Sequence, residues 1–198
     1  MHDARSSRAT LALVSIVSFM IAFDAMVVAT ALVPIRAELQ APIEHLQWTL
    51  SAYNLSFALL LLPGAILGDR FGRRRLLLLG LALFVAASAA CALAGSIGQL
   101  IAARVVQGAG TGIAMPLAMA LLGAAFPKQQ RAKALGVFSG ITGLALILGP
   151  ALGGTIAQGL DWRWVFWLNL PVGLIVWPLV RARVAESHDR AATLLRRE

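Results

Sequence analysis

The chain has 198 residues, of which 59% are hydrophobic and 13% are charged, and its mean hydropathy is +0.80. A soluble domain is usually about 45–50% apolar and about 25% charged, so this composition argues against a water-soluble enzyme and predicts an integral membrane protein. The net charge of +8 is divided among short segments and forms no separate basic domain of the kind that binds nucleic acid, and the single cysteine excludes an intrachain disulfide and a Cys-x-x-Cys metal site.

Six apolar runs predict six membrane-spanning helices, because a spanning helix needs about 20 mostly apolar residues. They cover residues 10–34, 47–68, 76–95, 99–123, 134–158 and 164–180. The runs do not alternate apolar and polar residues as barrel strands do, so the predicted fold is an all-α integral membrane bundle of six helices. Residues 1–9 form an N-terminal tail, and residues 181–198 form a charged tail or the start of a linker. Two arginines precede the first run as in a signal peptide, but the run is longer than a signal core, so we expect an uncleaved first helix.

The basic residues predict the orientation of the chain in the membrane. Fourteen of the 17 Lys and Arg residues lie in the two tails and in the second and fourth connections, all on one side of a six-helix zigzag. Arg36 and Arg163 lie on the opposite side, and Arg104 lies within a span. Because basic residues concentrate in cytoplasmic loops, we predict a multi-pass protein of the plasma (inner) membrane with both termini in the cytoplasm.

Asp24 and Arg104 are the two charged residues inside the predicted spans. Asp24 lies roughly 15 Å, and Arg104 roughly 8 Å, from the outer ends of their helices. A charge at such a depth is costly unless it is paired, hydrated or neutralised, so we expect the two side chains to line one polar cavity and to interact. An aspartate beside an arginine can titrate as its surroundings change, which proton coupling requires. The alternative is a static pair that fixes helix packing.

The connection after the second span carries a motif, Gly68-Asp69-Arg70-Phe71-Gly72-Arg73-Arg74-Arg75. Asp69 can accept hydrogen bonds from a helix terminus or pair with an arginine, and Gly72 permits a tight reversal. The run resembles the loop between helices two and three of the major facilitator superfamily, whose pattern is Gly-x-Leu-Ala-Asp-Arg-x-Gly-Arg-Arg. Ala65 stands here where the family pattern begins with glycine.

Further motifs follow in the order that the family has. The fourth-helix motif, in which the family's arginine is linked to proton transfer, is similar to Leu100, Arg104, Gln107, Gly108 and Gly110. The fifth-helix motif of antiporters is similar to Gly136 and the run Gly149-Pro150-Ala151-Leu152-Gly153-Gly154, with Ala145 in place of the second glycine. The segment around Asp24 and the run over residues 161–173 resemble the fourteen-helix branch of drug:proton antiporters, although the first of these departs at Met26, Ala29 and Val33.

The resemblance implies the N-terminal half of the family fold, built as two three-helix inverted repeats. It implies a multidrug or small-molecule efflux antiporter that works by alternating access. Such a protein sits in the lipid bilayer, takes a small hydrophobic or cationic substrate, draws on the proton gradient and needs no cofactor. Its expected partner is a missing C-terminal half of six or eight helices.

The resemblance also implies roles for individual residues. The candidates for proton coupling and for the substrate cavity are Asp24, Arg104, Gln107, Asn54 and Met115, with Met26, Thr111 and Met119 as further cavity residues. The candidate conformational gate is the loop with Gly68, Asp69, Arg70, Gly72, Arg73 and Arg74, and the candidate flexible helix carries Gly136, Gly149, Pro150, Gly153 and Gly154. No residue is assigned to catalysis or to a metal.

Two other classes of function remain for comparison. An intramembrane enzyme is disfavoured, because all three histidines lie outside the predicted spans and no Gly-x-Ser-x-Gly occurs. A chain of this length would be either a non-transporting remnant or a half-transporter that homodimerises or pairs with a separate C-terminal half. We expect an incomplete transporter, since a lone bundle would turn charged residues of its cavity towards lipid.

Overall fold

The computed structural model of the protein describes residues 4–159 and 161–187. The helices found there are α1 (Ala4–Leu39), α2 (Ile43–Phe71), α3 (Arg73–Ala92), α4 (Ile97–Ala125), α5 (Lys128–Gly159), α6 (Trp164–Trp167) and α7 (Asn169–Arg183). Six segments of the described chain are long and apolar enough to cross a membrane, and the last of them, Trp164–Arg183, joins α6 to α7. The predicted all-α membrane bundle of six spanning helices is confirmed.

The helices extend past the apolar runs that predicted them. α1 is already helical at Ala4, within the predicted N-terminal tail, and α5 begins at Lys128 rather than at residue 134. Hydropathy marks only the part of a helix that crosses hydrocarbon, whereas backbone hydrogen bonds continue into the polar flanks. Residues 1–3 and 188–198 of the predicted tails lie outside the described residues.

Two local features of the sequence explain where helices meet. Gly72 alone separates α2 from α3, and its φ of 111° is a backbone conformation that favours glycine. Leu168 lies between α6 and α7 and keeps helical dihedral angles, with φ of −59° and ψ of −28°. The helix is irregular there because Pro171 has no N–H to donate to the carbonyl oxygen of Trp167.

α4 is the central helix of the bundle. It packs most extensively against α2 and α3, while α1 packs mainly against α5 and also contacts α4 and α7. The backbones of α3 and α4 touch, because a Cβ on Gly80 would lie 2.7 Å from the carbonyl oxygen of Gly110, and the reverse also holds. Small residues permit this close approach of spanning helices.

The buried apolar side chains form two clusters along the length of the bundle. One cluster lies towards the end that holds Ala4 and Ser187, which we call the termini end, and includes Leu81 and Leu117. The other lies towards the opposite end and includes Val28 and Phe166. The polar residues of the candidate site lie between the two clusters, at mid-depth in the bundle.

The faces of α2 and α5 carry many exposed apolar side chains. On α2 these recur at helical spacing and include Leu55, Leu59, Leu62 and Ile66, of which Leu59 is 72% exposed. On α5 they include Ile147, which is 71% exposed. Such faces suit a lipid or protein environment and not water.

Candidate functional site

The two charges predicted to lie within the membrane meet in the centre of the bundle. Arg104 Nη1 on α4 donates a hydrogen bond of 2.7 Å to Asp24 Oδ2 on α1. The side chains are 1% and 0% exposed, respectively. Both are thus fully enclosed in this conformation and contact each other directly. A pair removed from water in this way is stabilising only if its remaining hydrogen-bonding groups are also satisfied.

Two amide side chains complete the surroundings of the carboxylate. Gln107 Nε2 donates to Asp24 Oδ1 at 3.0 Å, and Asn169 Nδ2 donates to the same oxygen at 2.7 Å. Ser88 Oγ accepts from both amides, at 2.8 Å from Gln107 and 3.3 Å from Asn169. The carboxylate therefore accepts three hydrogen bonds, which match its ionised form, since an ionised carboxylate only accepts.

The guanidinium of Arg104 has further partners. Nη1 donates to Gln107 Oε1 at 2.6 Å, and Nε donates to the carbonyl oxygen of Thr49 at 3.2 Å. The guanidinium carbon lies 4.1 Å from the centre of the Tyr53 ring, a distance typical of a cation–π contact. The Tyr53 hydroxyl is 3.0 Å from Thr111 Oγ1 and is held in place by it. The network therefore links α1, α2, α3, α4 and α7.

Some of the predicted cavity residues lie away from this network. Asn54 is exposed on α2, and Met115 is half-buried against the apolar cluster of the termini end. Met119 is exposed, whereas Met26 lies against Gly149. Hydropathy and spacing predict which residues share a helix face, but they do not predict how that face is oriented relative to a neighbouring helix.

Several members of the network were not predicted. Asn169 offered a signal, because it is one of two asparagines in the predicted spans and lies within the motif over residues 161–173. Ser88 offered none, since a serine in an alanine-rich helix usually bonds its own backbone. Ser88 Oγ does donate to the Phe84 carbonyl oxygen, at 2.8 Å, and its free lone pairs accept the two amides.

The candidate gate loop is tied together at the termini end. Arg73 Nε donates to Asp69 Oδ1 at 2.7 Å, one helical turn apart across the Gly72 reversal, whose N–H donates to the Gly68 carbonyl oxygen at 2.9 Å. Gly68 packs tightly on Leu117 of α4. The guanidinium of Arg70 lies over the ring of Phe71.

A residue beyond the last span also reaches this loop. Glu186 Oε1 accepts the backbone N–H of Arg74 at 2.8 Å, in the first turn of α3. Arg74 Nη1 donates in return to the carbonyl oxygens of Arg181 and Val184, at 3.2 and 3.1 Å. A carboxylate at a helix N-terminus is favourable, so Glu186 attaches the end of α7 to α3. No motif or spacing in the sequence indicated this role for Glu186.

The glycines of α5 fall into two groups. A Cβ on Gly149 would lie 2.5 Å from Met26 Cβ, and a Cβ on Gly153 would lie against Thr30 Oγ1 and 3.0 Å from Val27 Cγ1, so both glycines let α5 lie against α1. Gly136 and Gly154 face open space, and Pro150 is exposed within the helix.

The opposite end of the bundle carries a second polar cluster. Glu38 at the end of α1 accepts from Trp162 Nε1 at 2.7 Å and from Arg163 Nη1 at 2.6 Å. Arg163 Nη2 also donates to the Ala94 carbonyl oxygen at 3.2 Å. Partial desolvation lowers the pKa of Arg163, but its hydrogen bond to Glu38 and the nearby carboxylate charges outweigh this, so its pKa is raised from the ordinary value. This cluster joins α1, the α3–α4 turn and the start of α6.

The carboxylate at the centre of the bundle is surrounded by hydrogen-bond donors. It is held by an arginine and by two neutral amides. Within residues 4–159 and 161–187, no three His, Cys, Asp or Glu side chains group closely enough to hold a metal ion.

Nearly the whole chain is similar to known membrane transporters. The family model described as Major Facilitator Superfamily matches residues 14–197. The multidrug transporter protein MdtP of Bacillus subtilis is 40% identical over 175 residues, which are 87% of this chain and 32% of that protein. The drug efflux pump JefA of Mycobacterium tuberculosis is 39% identical over 178 residues, 89% of this chain and 35% of that protein.

Similar relationships hold for an export protein and for a solved structure. The tetracenomycin C resistance and export protein of Streptomyces glaucescens is 38% identical over 165 residues, 83% of this chain and 31% of that protein. The proton:xylose symporter XylE superimposes with a TM-score of 0.80 at 17% identity, covering 92% of this chain and 45% of that one, which is a likeness of fold. The chain spans about a third of the length of these three curated relatives.

Proposed function

Because this chain belongs to the major facilitator superfamily, a family of membrane transporters and not of enzymes, we propose that it is the N-terminal six-helix bundle of a proton-coupled multidrug efflux antiporter. Its relatives include proteins named for multidrug transport, drug efflux and antibiotic export. The expected substrate is a small hydrophobic or cationic compound, and the expected energy source is the proton gradient.

The buried network around Asp24 is the observation that carries the proposal. A carboxylate at mid-depth in a membrane is expensive, and ionisable groups kept there commonly serve proton or ion pathways. In the proposed cycle Asp24 takes up and releases the proton, while Arg104 and Gln107 stabilise its ionised form. The two halves of the complete transporter would rock about the central site, which opens to alternate sides of the membrane.

The gate loop and α5 would support this movement. The Asp69–Arg73 pair at the Gly72 reversal is partly exposed, so it can form and break between conformations at low cost. Gly149 and Gly153 bring no side chain of their own to the contact with α1, which allows α5 to slide or flex there.

A further bundle would cover the exposed faces of α2 and α5. Their apolar side chains, the short share of the relatives' length and the exposed position of Asn54 on α2 all support a missing C-terminal half of six or eight helices. Asn54 and Met115 would then line the substrate path between the halves. The concentration of basic residues at the termini end supports a plasma-membrane protein with both termini in the cytoplasm.

The test is proton-driven efflux by a complete transporter that contains this bundle. A proton gradient is imposed across the membrane of inside-out vesicles, and the uptake of a lipophilic cation such as ethidium is measured. We expect Asp24→Asn and Arg104→Ala to abolish gradient-driven uptake, while Arg36→Ala, a change at an exposed arginine, leaves it intact. Wild-type uptake in both central variants would refute the proton-handling role.

Sequencing of the gene downstream of the Glu198 codon separates a larger transporter from a separately encoded half, a homodimer and a remnant. An open frame with further apolar runs downstream of the Glu198 codon supports a half of a larger transporter. A stop codon there would favour a separately encoded C-terminal half, a homodimer or a remnant. Measuring uptake by the chain alone, and by the chain co-expressed with a C-terminal half, distinguishes these three outcomes.

A further inference from the structure

Asn169 links the last span to the buried carboxylate. It is the first residue of α7, it is 2% exposed, and its amide donates to Asp24 on α1 at 2.7 Å and to Ser88 on α3 at 3.3 Å. Asn169 therefore lies between two acceptors on different helices and is closer to the charged one. Its role rests on the proposed function, because it concerns the rearrangement of hydrogen bonds once Asp24 gains a proton.

The two oxygens of Asp24 are not equivalent. Oδ2 receives the guanidinium of Arg104, whereas Oδ1 receives the two neutral amides of Gln107 and Asn169. A guanidinium does not lose its proton in proteins, so a proton arriving at the carboxylate is better accommodated on Oδ1. There the oxygen becomes part of an O–H donor and loses most of its strength as an acceptor, so the N–H groups of both amides then face an O–H group.

The other groups that face Asp24 leave few acceptors for the displaced amides. The titratable neighbours are Arg104 from α4, Tyr53 from α2 and Cys91 from α3. The charged residues of α5 lie in its first two turns, and α6 carries none. Ser88 Oγ already receives both amides, and its own hydrogen is engaged with the Phe84 carbonyl oxygen.

We propose that Asn169 transfers its principal hydrogen bond from Asp24 to Ser88 when Asp24 is protonated. The Asn169 side chain of α7 then gives up its hydrogen bond to Asp24 on α1 and keeps its hydrogen bond to Ser88 on α3. Protonation of Asp24 thereby loosens α1 from the rest of the bundle. Asn169 acts through its position beside Asp24 and does not itself carry the proton.

The packing of α7 agrees with this exchange. α7 is already attached to α3, because Trp177 Nε1 donates to the Leu78 carbonyl oxygen at 3.2 Å and Gly173 lies tightly against Val85. Pro171 has no N–H for the Trp167 carbonyl oxygen, so the first turn of α7, which holds Asn169, has one backbone hydrogen bond fewer to constrain it. The bond to Asp24 is thus the contact that protonation would remove, while the contacts with α3 remain.

The experiment titrates Asp24 itself in the 198-residue chain in lipid nanodiscs. Isotope-edited infrared spectroscopy measures the carbonyl band of the protonated carboxyl group as the pH is varied from acidic to alkaline. The band is assigned to Asp24 by its absence in the Asp24→Asn variant. Asn169→Leu removes a donor to the ionised form, so we expect the pH of half-protonation to rise by about one unit or more. Ser88→Ala removes the acceptor of the protonated form, so we expect that pH to fall.

The pH of half-protonation is expected to shift in opposite directions in the two variants, and this distinguishes a coupling role of Asn169 from a packing role. Ser139→Ala, on an exposed part of α5, serves as the matched serine control and should leave the midpoint unchanged. Ser88→Ala removes a single oxygen atom, so it keeps the test available if Asn169→Leu does not fold. A wild-type midpoint in Asn169→Leu, or a rise in Ser88→Ala, would overturn the inference while leaving the proposed function standing. Absence of any titrating Asp24 band in the wild-type chain would overturn both.

Discussion

Removal of Arg104 should destabilise the bundle far more than removal of an exposed arginine. Arg104→Met keeps the length of the aliphatic chain but deletes the bonds to Asp24, Gln107 and Thr49, as well as the contact with Tyr53. Asp24 is then left fully enclosed with two amide donors and no counter-charge. Breaking a buried pair from one side usually costs about 3–5 kcal/mol, and we expect a loss in this range in the free energy of unfolding.

A double variant isolates the charge from the packing. In Asp24→Asn/Arg104→Met the buried charge is gone, and the new amide oxygen still accepts from Asn169 or Gln107. We therefore expect the double variant to be more stable than Arg104→Met alone by about 0.5–3 kcal/mol, the range of coupling energies between contacting residues. The matched control is Arg75→Met, whose side chain is 74% exposed and should cost about 1 kcal/mol or less.

The assay is reversible unfolding in mixed micelles, followed by circular dichroism at fixed pH and protein concentration. The reasoning fails if Arg104→Met and Arg75→Met have the same free energy of unfolding. It also fails if the double variant is less stable than Arg104→Met, because the uncompensated carboxylate would then not be the source of the loss.

Two further predictions concern contacts outside the hydrogen-bond network around Asp24. Gly149→Val should destabilise the chain by about 1–3 kcal/mol, because its Cβ would overlap α1, whereas Gly136→Val faces open space and should cost about 0.5 kcal/mol or less; thermal unfolding of the pair measures the difference. Trp162→Phe removes the hydrogen bond to Glu38 and should cost about 1 kcal/mol or more, whereas Trp164→Phe, at a side chain that is 51% exposed, should cost less than half as much. Equal losses in either pair would contradict the assigned contacts.

Composition and the length of the apolar runs predict the fold class and the location of the costly charges. Hydrocarbon cannot satisfy backbone hydrogen bonds, so long apolar runs predict spanning helices from composition and length alone. The same physics marks Asp24 and Arg104, since charged side chains within such runs need partners. The order of the motifs then indicated the family, which the match over residues 14–197 shows.

Which polar groups meet depends on the packing of the helices in the folded bundle. Asn169, Ser88 and Glu186 reach their partners because helices from distant parts of the chain are rotated and staggered against each other. That rotation follows from the packing of whole helix faces, including the glycine contacts between α3 and α4. No local pattern encodes it, because a serine or asparagine in a helix can turn equally to its own backbone, to lipid or to a neighbouring helix.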